Sequence, residues 1–176
     1  MEGFVEIKPG GNPLKRIYLN LMLWFVGRAV QAASRVDPQV KNEFQTLPLG
    51  FTFRLGAFPN GPWMVVQKDE MGRVRYLGAK VKGRVIDLSM TLKSMDALFL
   101  LFTFQESTPV SNARGRLFVE GEVPHACAVV RILDIVQVYL LPKFVAKLAI
   151  KRYPCWSLKR QIVDRARVNV RTLIGY

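Results

Sequence analysis

The chain reads as an α+β protein built around an antiparallel meander, and three features of the sequence lead there. Short β-rich runs crowd between Phe51 and Met90 and are separated by turn residues. Segments with helical spacing of apolar residues flank them on both sides. With 176 residues, half of them apolar, the chain can bury one substantial core and is too short for two.

The first dozen residues, with Pro9, Gly10, Gly11, Asn12 and Pro13 at their end, form a loose lead-in. From Pro13 to Ser34 the apolar positions Leu14, Ile17, Tyr18, Leu21, Leu23, Trp24, Phe25, Ala29, Val30 and Ala33 predict a helix with an unusually wide apolar face. Such a helix needs a large surface to cover it. Pro38 and Pro48 predict a loop, and strands follow over Phe51–Leu55, Trp63–Gln67, Arg73–Leu77 and Val85–Met90. Gly50, Gly56 and Gly61 lack a phosphate-loop pattern and read as turn residues. Ser94 stands where a helix N-cap belongs, with Asp96 in the first turn of a helix running to Phe104. A polar break at Ser107, Thr108 and Pro109 leads to a last strand, Arg116 to Glu120, ended by Gly121. Pro124 suits the first position of a long helix to Leu141, and Pro142 and Pro154 punctuate two further helices.

The helix from Met95 to Phe104 is apolar nearly all round. It is either sandwiched between the sheet and neighbouring helices, or part of it lines an apolar cavity.

Charge narrows the partners. The net charge of +13 favours polyanions, either nucleic acid or an anionic membrane surface. Residues 143 to 176 hold nine Lys or Arg and one acid, so the excess is concentrated in the tail. There Lys143, Lys147 and Lys151 recur opposite Phe144, Val145, Leu148 and Ala149. In Lys159 to Tyr176, Ile162, Val163, Ala166, Val170, Leu173 and Ile174 cluster opposite Arg160, Asp164, Arg167 and Arg171. Basic amphipathic helices of this kind either lie in an anionic lipid interface, with Arg160, Arg167 and Arg171 at the headgroups, or show a solvated face while packing on the domain.

The catalytic inventory is thin. The single histidine, His125, lies two residues from Cys127 on a predicted helix, so the two side chains point to different faces and make no local Cys-His pair. Cys127 reads as a buried small hydrophobe. No ligand spacing for zinc or for a two-metal site occurs, and neither metal nor cofactor is expected. Cys127 and Cys155 allow at most one bridge, and no cleavable-signal pattern is seen, which suggests a reducing, cytoplasmic setting. The longest dense apolar stretch, Ile17 to Val26, is about half of the roughly 20 residues a membrane crossing takes.

The stretch from Phe51 to about Lys151 resembles the sterol carrier protein type 2 domain. The resemblance rests on a strand pair, then Ile86-Asp87-Leu88-Ser89-Met90-Thr91-Leu92, then Ser94-Met95-Asp96-Ala97-Leu98 opening a helix, and then Ala113 to Glu122 before a long helix. Its most specific part is Gly115-Arg116-Leu117-Phe118-Val119-Glu120-Gly121, where this chain follows with Glu122 in place of the family's usual Asp. The resemblance implies a five-stranded, largely antiparallel sheet covered by helices around an apolar tunnel for sterols, fatty acyl chains or other lipids, and it brings no catalytic residues. It divides the chain into an N-terminal extension over residues 1–50, a lipid-binding core over 51–151 and a basic C-terminal helix over 152–176, packed as one domain. The closing Ile174-Gly175-Tyr176 is not a peroxisomal signal, which points to a bacterial-type, stand-alone member. Such members are similar to accessory proteins of ubiquinone biosynthesis, so an isoprenoid quinone or its precursor joins the expected ligands.

The expected function is therefore non-catalytic lipid binding and carrying or presentation, with peripheral membrane contact. Phe99, Phe102, Leu133 and Val136, with Leu98, Leu101, Val129 and Leu140, are the expected lipid-facing residues. A nucleic-acid binder using Phe51-Thr52-Phe53-Arg54 and Arg73-Val74-Arg75-Tyr76, and a scaffold docking its N-terminal helix on a biosynthetic enzyme, are the competing classes.

Overall fold

A computed structural model describes residues 12–79, 83–103, 105–106, 108–140 and 165–174. Helix α1 (Pro13–Val36) begins at a proline, whose missing N–H is not needed in the first helical turn. Its buried face carries Leu19, Leu23, Val26, Val30 and Ala33, each of the larger ones worth about 1.5–3 kcal/mol when removed from water. The wide apolar face does find a large surface, because α1 is packed against the sheet and against four other helices. Through α1 the N-terminal extension thus contributes to the core.

The predicted loop after Val36 is instead a helix, α2 (Pro38–Gln45). Asp37 and Pro38 are an N-cap and a first helical residue: the Asp37 carboxylate accepts the Gln39 N–H at 2.7 Å and the Val40 N–H at 3.2 Å. Just past the other end of α2 the buried Lys68 ammonium donates to the carbonyl of Phe44 at 2.9 Å, which also accepts the Leu47 N–H, and to that of Leu47 at 2.6 Å.

Five strands form one sheet: β1 (Thr52–Ala57), β2 (Trp63–Lys68), β3 (Val74–Gly78), β4 (Leu88–Leu92) and β5 (Leu117–Glu120), in the order β3-β2-β1-β4-β5. The meander stops at its third strand. β4 crosses to the free side of β1 and pairs with it in parallel, while the other three pairings are antiparallel, so the sheet is mixed. Asp87 sets this crossover. Its N–H donates to the Thr52 carbonyl at 2.9 Å and its carboxylate accepts the Thr52 N–H at 2.8 Å, which aligns the start of β4 with the start of β1. Val85 to Asp87 therefore precede the strand they were expected to open. Gly56 lies within β1, covered by the Trp63 ring, and is not a turn residue.

One sheet face is buried through Phe53, Leu55, Ala57, Met64, Val66, Leu88, Met90 and Leu92, the alternate positions of three central strands. Helix α3 (Met95–Phe102) packs over β1 and β4, with the Ser94 hydroxyl capping it through the Ala97 N–H at 3.1 Å, as expected. The polar break contains a short helix, α4 (Thr108–Ala113). The edge of β3 is closed by α1: the Tyr76 N–H donates to the Gln31 side-chain oxygen at 2.8 Å, and Gly27 lets the Tyr76 ring approach so closely that a Cβ there would overlap it.

Helices α5 (Val123–Leu140) and α6 (Arg165–Ile174) pack on α1 and on each other. By length and composition α5 meets what a membrane crossing takes. It is nevertheless a helix of this core, because Arg131 makes two hydrogen bonds to Glu43 of α2, at 2.9 and 2.8 Å, and Tyr139 donates to Asp37. The other predicted C-terminal helix, with Lys143, Lys147 and Lys151, lies outside the described residues, as do Phe104, Leu141, Cys155 and Arg160.

The buried Tyr139–Asp37 bond yields the first prediction. Tyr139→Phe leaves a buried carboxylate short of one donor and should cost roughly 1–3 kcal/mol in denaturant unfolding. Asp37→Ala should cost more, because it also removes the cap of α2, worth about 1 kcal/mol. The double variant should lose less than the sum; strict additivity would show that the two side chains do not act together.

Candidate functional site

On α5 the expected lipid-facing residues Val129, Leu133, Val136 and Leu140 repeat at steps of four, three and four and so share one face. On α3 they are Leu98, Leu101 and Phe102. All belong to one apolar cluster with the inner sheet face; Val129, Leu133, Val136, Leu98, Leu101 and Phe102 are buried, and Leu140 is half-buried against it. Phe99 turns toward α1: its ring meets Tyr18 edge-on at a centroid distance of 5.6 Å and lies under the Lys15 ammonium, 5.0 Å from its centre. Lys15 also bonds Asp96 in the first turn of α3.

His125 and Cys127 do point apart. The His125 ring packs edge-on against Phe51, with centroids 5.2 Å apart, and its Nδ1 is 3.5 Å from the Glu122 carboxylate. Cys127 is exposed, which corrects the expectation of a buried thiol. Two residues along a helix turn a side chain about 200°, so with His125 against the sheet Cys127 faces water. Among the described residues no group of histidine, cysteine and carboxylate side chains is placed to hold a metal ion.

The aromatic residues quoted for a nucleic-acid surface are taken by the core. Phe51 and Phe53 are buried, and Tyr76 is pressed against Gly27. Neither Phe51 nor Phe53 offers a free ring face for a base, and Tyr76 is half-buried.

Helix α6 also differs from its expected faces. Val168 and Thr172 are its buried positions, and the Thr172 hydroxyl is satisfied by the Val168 carbonyl at 2.7 Å. Ala166, Val170 and Ile174, expected to form a common apolar face, are exposed, as are Arg167 and Arg171. A small, self-satisfied threonine fits close against a neighbouring helix, which leaves the larger apolar residues facing outward.

A basic trough of about 800 Å³ lies between α1 and β3. Arg28, Gln31 and Arg35 line it from α1, and Arg73, Arg75 and Tyr76 from the β3 side. Among the described residues no carboxylate lines it. Arg28 stacks over Trp24 at 5.0 Å, and Arg75 reaches Asp69 at 3.4 Å. Burial raises the Tyr76 hydroxyl above its ordinary pKa, and the nearby Arg28 charge partly offsets this. The sequence reading passed over this trough because its cations are split between a helix and a strand. Two smaller cavities, of about 670 and 380 Å³, lie beside Lys68 and beside Thr52. None of the three is lined by the eight residues expected to face lipid.

The structure is similar to solved structures whose titles name sterol carrier protein 2 domains. A protein titled UbiJ-SCP2 ubiquinone synthesis protein shares 19% identity, with 69% of this chain and 90% of that one covered at a TM-score of 0.42. Sterol Carrier Protein 2 from Yarrowia lipolytica, in its apo form, shares 19% identity over 65% of this chain and 89% of that one, at a TM-score of 0.46. The sterol carrier protein domain 2 of Helicoverpa armigera shares 15% identity over 73% and 94%, at a TM-score of 0.42. No family model and no curated protein sequence matches the chain.

One ionisable group on α5 has a testable consequence. Asp134 is partly buried, makes no hydrogen bond or ion pair among the described residues, and is held above the usual carboxylate range by desolvation. A raised carboxyl pKa means the folded state binds the proton more tightly, so stability is lost as pH rises through the folded value. Asp134→Asn should therefore raise the melting temperature at neutral pH, and the gain should vanish in acid, below the unfolded carboxylate value. An equal gain at both pH values would assign it to something other than the charge.

Proposed function

We propose that this chain is a non-catalytic binder of an apolar lipid, of sterol-like, fatty acyl or isoprenoid quinone type, which it carries or presents. The observation that carries this reading is the single apolar cluster that residues of α3 and α5 form with the inner face of the sheet. α3 is apolar on nearly every side, and α5 has the length and apolar composition of a membrane-crossing helix while Val129, Leu133 and Val136 face the core. Val129, Leu133, Val136 and Leu140 on α5, with Leu98, Phe99, Leu101 and Phe102 on α3, are the side chains proposed to meet the ligand. The sterol carrier resemblance of residues 51 to 151 points the same way.

Membrane contact belongs to the same reading. A carrier must load and unload at a bilayer, and the exposed face of α6 sets Arg167 and Arg171 beside Val170 and Ile174. Presentation of a quinone precursor to a biosynthetic enzyme would use the same bound state.

Protein purified without detergent and analysed by native mass spectrometry should carry an apolar molecule that organic extraction releases, and the emptied protein should take up a fluorescent acyl or sterol probe. His125→Ala and Cys127→Ala should bind the probe within about twofold of the parent, less than the tenfold that corresponds to about 1.4 kcal/mol. A chain that carries no lipid and takes up none of the probes contradicts the carrier reading; a turnover lost in either variant while the fold persists contradicts the non-catalytic one.

A further inference from the structure

One face of α1 repeats at steps of three and four from end to end: Leu14, Ile17, Leu21, Trp24, Arg28, Gln31 and Arg35. It lies opposite the core face of Leu19, Leu23, Val26 and Val30. Its character changes half way along. Leu14, Ile17 and Leu21 are exposed to 76%, 64% and 60%, far more than large aliphatic residues on a helix this well packed. Past Trp24 the same face becomes the wall of the arginine trough, which Arg73 and Arg75 complete from β3. The face extends about 30 Å along the helix. Apolar and cationic halves are therefore presented side by side, in the order in which a bilayer presents acyl chains and phosphates.

Charge decides what the trough accepts. Among the described residues four guanidinium groups surround it without a carboxylate in its lining, and only Arg75 has an acidic partner. Guanidinium is the side-chain group best suited to phosphate oxygens, through paired N–H donors. Trp24, half-buried between the two halves and stacked on Arg28, suits the boundary between headgroups and hydrocarbon.

We propose that the trough between α1 and β3 binds the phosphate groups of anionic phospholipids while Leu14, Ile17 and Leu21 enter the acyl region of the same bilayer. This deepens the lipid-carrier reading by giving it a seating face, and it is distinct from the α6 contact. The occupant is the bilayer surface, since a soluble phosphate ester would leave the apolar half of the stripe bare.

The test is co-sedimentation of the full chain with phosphatidylcholine vesicles that contain or lack phosphatidylglycerol. Arg28→Glu/Arg73→Glu should lower partition onto the anionic vesicles roughly tenfold or more and change partition onto neutral ones little. Ile17→Ser/Leu21→Ser, at exposed positions where folding is unaffected, should lower partition onto both. Arg28→Lys/Arg73→Lys keeps the charge and should retain most of the binding, which guards against a loss caused by misfolding. Arg167→Glu/Arg171→Glu reports the α6 contact separately. Unchanged partition of the glutamate and serine variants overturns the proposal, as does complete loss in the α6 variant alone. Saturable binding of glycerol phosphate or single-stranded RNA that the Arg28/Arg73 variant loses, with vesicle partition intact, reassigns the trough and also overturns it. Probe uptake in detergent, measured on every variant, separates this outcome from failure of the carrier reading.

Discussion

A carboxylate buried at the corner between α1 and α2 holds the helical layer together. Asp37 accepts the first free N–H groups of α2 and the hydroxyl of Tyr139 at the far end of α5. A charge removed from water costs several kcal/mol unless its lone pairs are filled, so these donors define one arrangement and penalise others. Once the corner is fixed, α2 is directed so that its C-terminal carbonyls meet Lys68 of β2, and α5 is aligned along α1. Helices, sheet and the long C-terminal half of the fold are tied together through that short turn.

The corner also determines what α1 shows to water. With Leu19, Leu23, Val26 and Val30 committed to the core, the opposite stripe is left outward, and Gly27 and Gln31 bring it against the edge of β3. Closing a strand edge with a helix prevents edge-to-edge pairing. Here the same closure assembles the arginine trough. One helix thus serves the core on one side and offers a bipartite surface on the other.

Much of this was legible in the sequence, for physical reasons that differ by element. The strands near Phe53, Val66 and Met90 announced themselves by β-branched and aromatic runs between turn residues, and α3 by its Ser94 cap. α2 was hidden because Pro38 was weighed as a breaker, although directly after an Asp it is a helix starter. The parallel pairing of β4 with β1 has no local signature: it depends on Asp87 reaching Thr52, 35 residues away. The faces of α6 were misread because a threonine, Thr172, took an inward position that hydropathy assigns to Val170 and Ile174. The apolar residues of α3 and α5 could be named from their apolar excess together with the sterol carrier resemblance. The trough could not, since Arg28 and Arg73 become neighbours only when α1 lies on β3.

The central claim is that α3 and α5 hold an apolar ligand against the sheet. The most direct measurement is a methyl NMR titration of the protein, labelled at Leu, Val and Met, with a single-chain fatty acid and with an isoprenoid quinone analogue. The account predicts saturable shifts, and ligand-to-methyl nuclear Overhauser effects, at Leu98, Leu101, Val129, Leu133 and Val136. Perturbations confined to Leu14, Leu21, Val170 and other exposed methyls, with the core methyls unmoved at saturation, would contradict it and leave a protein that only coats lipid surfaces.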